Sequence, residues 1–177
     1  MTATTDELEE AIARALEAFP PDGLNAQVGV LVRREIEARL LFPLIAALEA
    51  HCGGEAVREI LRRVIEAVAR RQGADLARRA GGRTLDHFRT AMEPWMRGGA
   101  IEVETLAAEE DLWAYRVRRC RYAEMYRALG IPGLGAILSC ARDGALVAGF
   151  NPQIRFDRGP TILEGAASCE FRYRLSR

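Results

Sequence analysis

Residues 100–120 read AIEVETLAAEEDLWAYRVRRC, and in this stretch the apolar residues recur at every second position. Ile101 and Val103 alternate with glutamates, and after a short break the large residues Trp113, Tyr115 and Val117 alternate with Leu112, Ala114 and Arg116. Because successive side chains of a strand point to opposite faces, this period is typical of two half-buried strands. The intervening AAEE suits a hairpin loop, so the stretch predicts an antiparallel pair.

The chain before this hairpin has the period of helices. Thr4 and Glu7 have the spacing of a capping box, so a first helix is expected to begin there and to end at Pro20 and Pro21. Further apolar patterns predict one helix that continues to about Ala80 and another that begins at Thr84. Pairs of glycines separate these helices.

A second helix is expected between them, from an Asn25 cap to Gly53, with a kink at Pro43. Its apolar period predicts an inward face made of Val28, Leu31, Val32, Ile36, Leu40, Leu44 and Leu48.

The chain after the hairpin is mixed. Residues 121–129 predict a helix, a second short helix is expected from about Gly133 to Cys140, and Asp143 is expected to cap a third short turn through Val147. Alternation returns in QIRFDR and SCEFRYRL, which predict two more strands. The expected fold class is therefore α+β: an N-terminal helical half, residues 1–98, packed on a mainly antiparallel sheet of about four strands with inserted helices, residues 99–177. We expect residues 1–177 to form a single domain.

The composition excludes several function classes. The 177 residues carry 25 basic and 25 acidic side chains, so no basic surface for nucleic acid or an anionic membrane is expected. All the basic residues are arginines, which excludes Schiff-base chemistry and a P-loop lysine. No G-x-S-x-G motif, signal peptide or membrane span is recognisable. The chain reads as a cytoplasmic protein.

Four cysteines are widely spaced and form no C-x-x-C pair. Cys120 lies where a strand meets a helix, among Arg118, Arg119 and Arg121. The helix dipole and these guanidinium groups are expected to favour its thiolate, with Glu124 one helical turn away. The alternative is a packed thiol with Glu124 paired to an arginine.

Cys140 is expected at the C-terminal end of a short helix, where the dipole opposes a thiolate, and spacing alone favours a packed thiol there. Cys169 begins a strand and shares a face with Phe171 and Tyr173, so a core position is the simpler interpretation. A zinc set of three cysteines with His51 or His87 has no supporting spacing, and we expect no metal or other cofactor.

Polar residues in the same region suit a small, anionic ligand. Arg158 can grip a carboxylate with two hydrogen bonds, and Asn151 offers both a donor and an acceptor. Thr161 and Glu164 are the other candidate substrate-binding residues. Each also has an ordinary structural role available in a loop or at a strand end.

Several segments together resemble one known family, the L-2-amino-thiazoline-4-carboxylic acid hydrolases. The segments that carry the resemblance are RCRYAEMY (119–126), LGAILSCARD (134–143), GFNP (149–152) and TILEGAASCEFRYR (161–174). The likeness extends over roughly residues 30–174.

The resemblance implies hydrolytic opening of a C–N bond in a small heterocycle. In the named reaction a cyclic amidine, 2-aminothiazoline-4-carboxylate, gains water to give a carbamoyl cysteine. The family pattern keeps Cys120, Cys140, Cys169 and Asp143, and Cys140 leads as nucleophile because the resemblance couples it to Asp143. Where the family favours a TRTxT run and a histidine before the last cysteine, this chain has Asp157, Arg158, Gly159, Pro160 and Thr161, and then Ser168.

We therefore expect a cysteine-dependent ring-opening hydrolase, with Cys140 first, Cys120 second and Cys169 third as nucleophile. Asp143 or Glu124 is the expected acid or base. The alternatives are a small-molecule-binding or sensory module without catalysis, and a metal-dependent hydrolase. The wide apolar stripes of the helical half suggest a homodimer.

Overall fold

The computed structural model describes residues 4–20 and 23–176, so Pro21 lies outside the described residues. The helices are α1 (Thr5–Glu17), α2 (Leu24–Val28), α3 (Val30–Cys52), α4 (Gly54–Ala80), α5 (Leu85–Met96), α6 (Arg121–Ala128), α7 (Pro132–Gly135) and α8 (Arg142–Phe150). The strands are β1 (Ile101–Ala108), β2 (Leu112–Cys120), β3 (Ile154–Arg158) and β4 (Cys169–Leu175).

The four strands form one antiparallel sheet in the order β1-β2-β4-β3, which confirms the α+β prediction. Trp113 pairs with Tyr173 and Tyr115 with Phe171 across β2 and β4, and both pairs of rings are stacked with centroids 4.9 Å apart. Aromatic pairs of this kind stabilise a sheet beyond the area that they bury. These rings form the inner face, on which the helices pack.

Charged side chains cover the opposite face. Arg116 pairs with Glu170 on β4 and with Glu104 on β1, and Arg118 also pairs with Glu104. Exposed ion pairs contribute little stability singly, so the sheet is held mainly by its inner face.

The predicted helix starts at Thr4 and Thr84 are confirmed. Thr4 and Glu7 make both hydrogen bonds of a capping box at the start of α1. The Thr84 hydroxyl accepts a hydrogen bond from the His87 N–H at the start of α5. Both caps satisfy N–H groups that a helix N-terminus otherwise leaves without partners.

The second predicted helix is wrong in its start and in its continuity. It begins at Leu24 rather than after an Asn25 cap, and the Asn25 Oδ1 accepts a hydrogen bond from Arg33 at 3.2 Å. It is also interrupted at Gly29, whose φ of 78° separates α2 from α3. Glycine adopts this left-handed conformation without the strain that other residues incur.

The inward face predicted for α3 is also wrong. Only Leu31 of the predicted set packs against the core, whereas the other six side chains are exposed, from 41% at Leu48 to 72% at Leu40. The residues that point inward are Val30, Arg34, Ala38 and Ile45. Because α3 carries apolar residues on several sides, its period could not select the buried face. This exposed row of apolar side chains does not test the homodimer, which remains a prediction.

Residues 132–150 are more continuous than expected. A π-helical turn, Ala136–Cys140, joins α7 to α8 nearly without a break. Asp143 is therefore not a cap but lies in the first turn of α8. By length and composition alone, Pro132–Phe150 could cross a membrane, whereas no such span was expected from the sequence. Leu146, Val147 and Phe150 are nevertheless buried in the protein core.

Two glycines allow α8 to lie very close to α4. A Cβ atom at Gly149 would overlap the Arg70 carbonyl oxygen, and one at Gly73 would overlap the Leu146 carbonyl oxygen. Ala69 and Ala77 extend this row of small buried residues along α4. The backbones of the two helices are therefore in direct contact.

Replacing Gly149 with alanine should destabilise the fold. The added methyl group meets backbone rather than a flexible side chain, so we expect a loss of about 1–3 kcal/mol in the free energy of unfolding. Urea denaturation would measure it. Gly144→Ala is the matched control on the same helix, because its Cβ would lie 3.5 Å from the Phe156 ring, an ordinary contact. Equal stability of the two variants would contradict the close packing of α4 on α8.

Candidate functional site

A cavity of about 90 Å³ lies between the inner face of the sheet and the helices. It is smaller than the apolar cavity of about 150 Å³ that accepts benzene in another protein, so it limits a ligand to a small molecule. The apolar lining is Val30, Phe88, Met92, Trp95, Met96, Ile101, Tyr115, Val117, Tyr122, Ala123, Leu146, Val147, Ile162, Leu163, Phe171 and Tyr173. The polar and sulfur lining is Arg34, Cys120, Ser139, Cys140, Arg142, Asp143, Arg158, Thr161 and Cys169.

Three of the four cysteines face this cavity, although 49 residues separate the first from the last. Cys120 ends β2, Cys140 ends the π turn and Cys169 begins β4. The strand ends and the start of α8 meet at the same side of the sheet. The structure thus brings together the three thiols that the sequence singled out, whereas Cys52 is exposed on α3.

Burial raises the pKa of the Cys120 thiol, so the expected easy ionisation is wrong. Backbone N–H groups of Ala123 and Tyr122 donate to the sulfur and oppose this effect only in part. The neighbouring guanidinium groups serve other partners: Arg118 pairs with Glu104, Arg119 with Glu102 and Glu124, and Arg121 donates to the Gly98 carbonyl.

The other two thiols are also protonated at neutral pH. Burial, reinforced by the nearby Asp143 carboxyl, raises the pKa of Cys140 to about 12, although Arg158 and a hydrogen bond from Thr161 oppose the shift. Burial likewise raises the pKa of Cys169, whose sulfur accepts a hydrogen bond from the Ile162 N–H at 3.1 Å.

Asp143 and Arg158 form an ion pair beside these thiols. Arg158 Nη1 also donates to the Cys140 carbonyl oxygen at 2.7 Å, which ties β3 to the end of the π turn. Removal of the carboxyl group from water outweighs the attraction of Arg158 and raises the pKa of Asp143 to about 6. A carboxyl group with this pKa exchanges a proton readily near neutral pH.

Only two of the four predicted substrate-binding residues line the cavity. Thr161 is buried and lines the cavity, and Arg158 lines it too, but its charge is balanced by Asp143. Glu164 is exposed and completes a capping box with Thr161. Asn151 is buried away from the cavity, where it donates to the Arg83 carbonyl at 2.8 Å and accepts from the Gln153 N–H at 2.9 Å.

Glu124, the second candidate acid or base, is an exposed residue of α6. Its carboxylate pairs with Arg119 at 2.7 Å, and it does not line the cavity. Asp143 is therefore the carboxyl group that accompanies the thiols. Among residues 4–20 and 23–176, no three His, Cys, Asp or Glu side chains are grouped so that they could hold a metal ion.

Two cavity residues, Arg34 and Arg142, were missed as ligand-binding candidates. Arg34 lies on the same face of α3 as Val30 and Ala38, one turn apart on either side, and only 1% of its surface is exposed. The spacing identifies Arg34 as an inward charge only once Val30 and Ala38 are known to be buried. Arg142 directly precedes Asp143 in the SCARD motif, an adjacency that could have drawn attention to it.

A sequence profile described as L-2-amino-thiazoline-4-carboxylic acid hydrolase matches residues 33–173, most of the chain. No curated protein matches the sequence. Among solved structures, the fold is similar to the crystal structure of the phenol-responsive sensory domain of the transcription activator PoxR with phenol. The TM-score is 0.50 at 13% sequence identity, with 99% of this chain and 92% of that chain covered. At this identity the likeness concerns the fold alone. The match of the profile over residues 33–173 shows that the chain belongs to the L-2-amino-thiazoline-4-carboxylic acid hydrolase family.

Proposed function

We propose that the chain is a hydrolase that opens a C–N bond in a small cyclic amidine or amide bound in the cavity. The observation that supports it best is that the Asp143 carboxyl group, with a pKa of about 6, and the Cys140 thiol line one cavity. Groups with perturbed pKa values that share a cavity are characteristic of catalytic sites.

The lining of the cavity suits a flat ring. Phe88, Trp95, Tyr115 and Phe171 supply aromatic surface, and Met92 is unbranched and adapts to irregular shapes. These apolar side chains displace water from around a bound ligand, which strengthens its interactions with polar groups. A ring held here has Cys140 and Asp143 beside it.

In the proposed reaction, Cys140 Sγ forms a bond to the amidine or amide carbon while its proton passes to Asp143. Asp143 then gives this proton to the ring nitrogen, whose bond to the same carbon breaks. Water attacks that carbon next, the bond between the carbon and Sγ breaks, one proton of the water passes through Asp143 to Sγ, and the open-chain product leaves. The sum is addition of one water molecule to the ring.

Proton transfer must accompany sulfur attack in this scheme, because the thiol is protonated at rest. Arg158 is a positioning residue: its ion pair holds the Asp143 carboxyl group, and its bond to the Cys140 carbonyl holds the nucleophile's backbone. Cys120 and Cys169 remain the second and third candidates for the nucleophile.

A second candidate function is ligand binding without catalysis. It is supported by three neutral thiols in an aromatic cavity, and by a fold shared with a sensory domain that responds to phenol. Such a module needs the cavity but no activated thiol. The experiments below separate the two functions.

Asp143→Asn and Cys140→Ser should each abolish most of the ring opening. The first variant removes the proton acceptor and the second the thiol, so we expect kcat/KM to fall by at least about 100-fold in each. Chromatography of a panel of cyclic amidines, hydantoins, imides and lactams would measure the reaction. Cys52→Ser, outside the cavity, is the matched control and should keep full activity.

Full activity in both cavity variants would exclude Cys140 and Asp143 from catalysis. Absence of ring opening across the panel in the wild-type protein, together with ligand binding, would favour the non-catalytic function.

The pH profile should report the titration of Asp143. Below pH 6 this carboxyl group is protonated and cannot accept the thiol proton, so kcat/KM should rise as the pH rises through about 6 and then level off. Stopped assays between pH 4.5 and 8 would show this step. A rate that falls with rising pH over this range would contradict the proposed role of Asp143 as the base.

Alkylation of Cys140 tests whether Asp143 acts as a base or only as a nearby negative charge. The negative charge of Asp143 raises the pKa of Cys140, so an electrostatic neighbour alone predicts faster alkylation of Cys140 in Asp143→Asn. If Asp143 instead accepts the proton during attack, alkylation of Cys140 should be slower in this variant than in the wild type. Iodoacetamide labelling at pH 7.5, read by mass spectrometry in a Cys52→Ser background, would compare the two rates.

A further inference from the structure

A second cavity, of about 220 Å³, shares two wall residues, Trp95 and Arg142, with the cavity beneath the sheet. Its other walls come from the end of α1 and from α3, α4 and α5. Phe19 lines it and is 68% exposed, so the cavity opens to solvent at the end of α1. Cys140 and Asp143, which carry the proposed reaction, do not line it.

The charged lining of this second cavity is mainly positive. Among the described residues it consists of one acid and four arginines, namely Asp75, Arg33, Arg71, Arg79 and Arg142. Asp75 pairs with Arg78, outside the lining, and Arg33 pairs with Glu37. Arg71 donates to two backbone carbonyl groups at the end of α1, which carry no net charge. Positive charge is therefore in excess around this space.

Arg142 is the buried cation of the lining, with only 5% of its surface exposed. Its Nη2 donates to Gln72 at 3.2 Å, and Gln72 lines the second cavity but not the main one. Its Nε is buried without a hydrogen-bond partner among the described residues. Burial, reinforced by the nearby Arg34, lowers the pKa of Arg142 to about 9. Because a buried donor without a partner is costly, this guanidinium group is expected to meet an anion.

Much of the remaining lining is apolar. It comprises Leu16, Phe19, Pro20, Val68, Leu76, Pro94 and Trp95. Val68, Gln72 and Leu76 recur at every fourth position of α4, so their side chains form one stripe. An anion alone would leave this apolar surface in contact with water, whereas an anion joined to an apolar group would cover it.

The arrangement of the arginines favours a phosphate ester over a carboxylate. They come from α3, α4 and α8 and therefore approach the cavity from several directions. A phosphate monoester presents three acceptor oxygens and a charge of about −1.5 to −2 at neutral pH. A carboxylate presents two oxygens in one plane and a single charge. Guanidinium groups bind phosphate through short, charge-assisted hydrogen bonds.

We propose that the second cavity binds the phosphate monoester of a small apolar or aromatic group. Arg33, Arg71, Arg79 and Arg142 hold the phosphoryl oxygens, and the organic group lies against Trp95 and the apolar stripe of α4. This site is separate from the proposed ring-opening reaction. Because Trp95 and Arg142 belong to both cavities, a bound ester contacts two residues of the reaction cavity.

The test compares phenyl phosphate with phenyl sulfate, which carry the same ring and differ mainly in charge. Titration calorimetry on the full chain at pH 7.5 should give a dissociation constant at least about tenfold lower for the phosphate, because its second charge meets the surplus of arginines. Inorganic phosphate tests the organic group. It should bind at least about tenfold more weakly than phenyl phosphate, since it leaves the apolar lining uncovered.

Two variants assign the binding to this cavity. Arg79→Gln removes an exposed cation that lines only the second cavity, and it should raise the dissociation constant of phenyl phosphate by about tenfold. Val68→Trp fills the cavity without removing a charge, and it should weaken the binding of both esters. Arg58→Gln is the matched control on α4, because Arg58 is exposed, pairs with Glu49 and lies outside this lining. It should keep the wild-type affinities.

Equal affinity for phenyl phosphate and phenyl sulfate in the wild-type protein would overturn the site, and this comparison needs no variant to fold. Binding of phenyl phosphate that is unchanged in both Arg79→Gln and Val68→Trp would overturn it too. Inorganic phosphate that binds as tightly as phenyl phosphate would overturn the assignment to an ester. Ring opening plays no part in these measurements, so failure of the hydrolase and failure of this site are separate outcomes.

Discussion

Direct contact between the backbones of α4 and α8 is the constraint on which the rest of the structure depends. Gly73 and Gly149 permit it, and side chains at either position would separate the two helices. Because α8 is held against α4, its first turn is fixed beside the end of the sheet. That turn carries both Arg142 and Asp143, so the closeness of two helices decides where two opposite charges enter the cavity.

Local signals in the sequence were sufficient to predict most of the fold. Alternation over residues 100–120 and near residues 154 and 169 identified strands that pair as expected, because one face of each is covered by helices. The error on α3 has a physical cause. A helix that is apolar on several sides has no single period, and the tertiary structure chose the face with Ala38 and a buried arginine.

The site was only partly accessible from the sequence. The meeting of three cysteines with Asp143 followed from the family resemblance, since nothing in their spacing indicates that they are close. The argument for a reactive Cys120 rested on its neighbours along the chain. It was wrong because the arginines around it point to glutamates and to a carbonyl group, and because burial disfavours the thiolate. Asn151 and Glu164, which looked like ligand-binding groups, instead complete the hydrogen bonds of nearby loops.

The π turn before α8 gives the site a dependence on chain length. Its hydrogen bond runs from the Ala141 N–H to the Ala136 carbonyl oxygen over 2.9 Å, five residues back along the chain, whereas an α-helical bond spans four. One residue fewer would restore the ordinary ladder and rotate α8 by about 100° relative to α7. That rotation is the angle between neighbouring side chains, so Arg142 and Asp143 would no longer face their present partners. The single extra residue of the π turn thus sets the rotation of α8, and it determines which charged side chain faces the thiols and which faces Gln72 on α4.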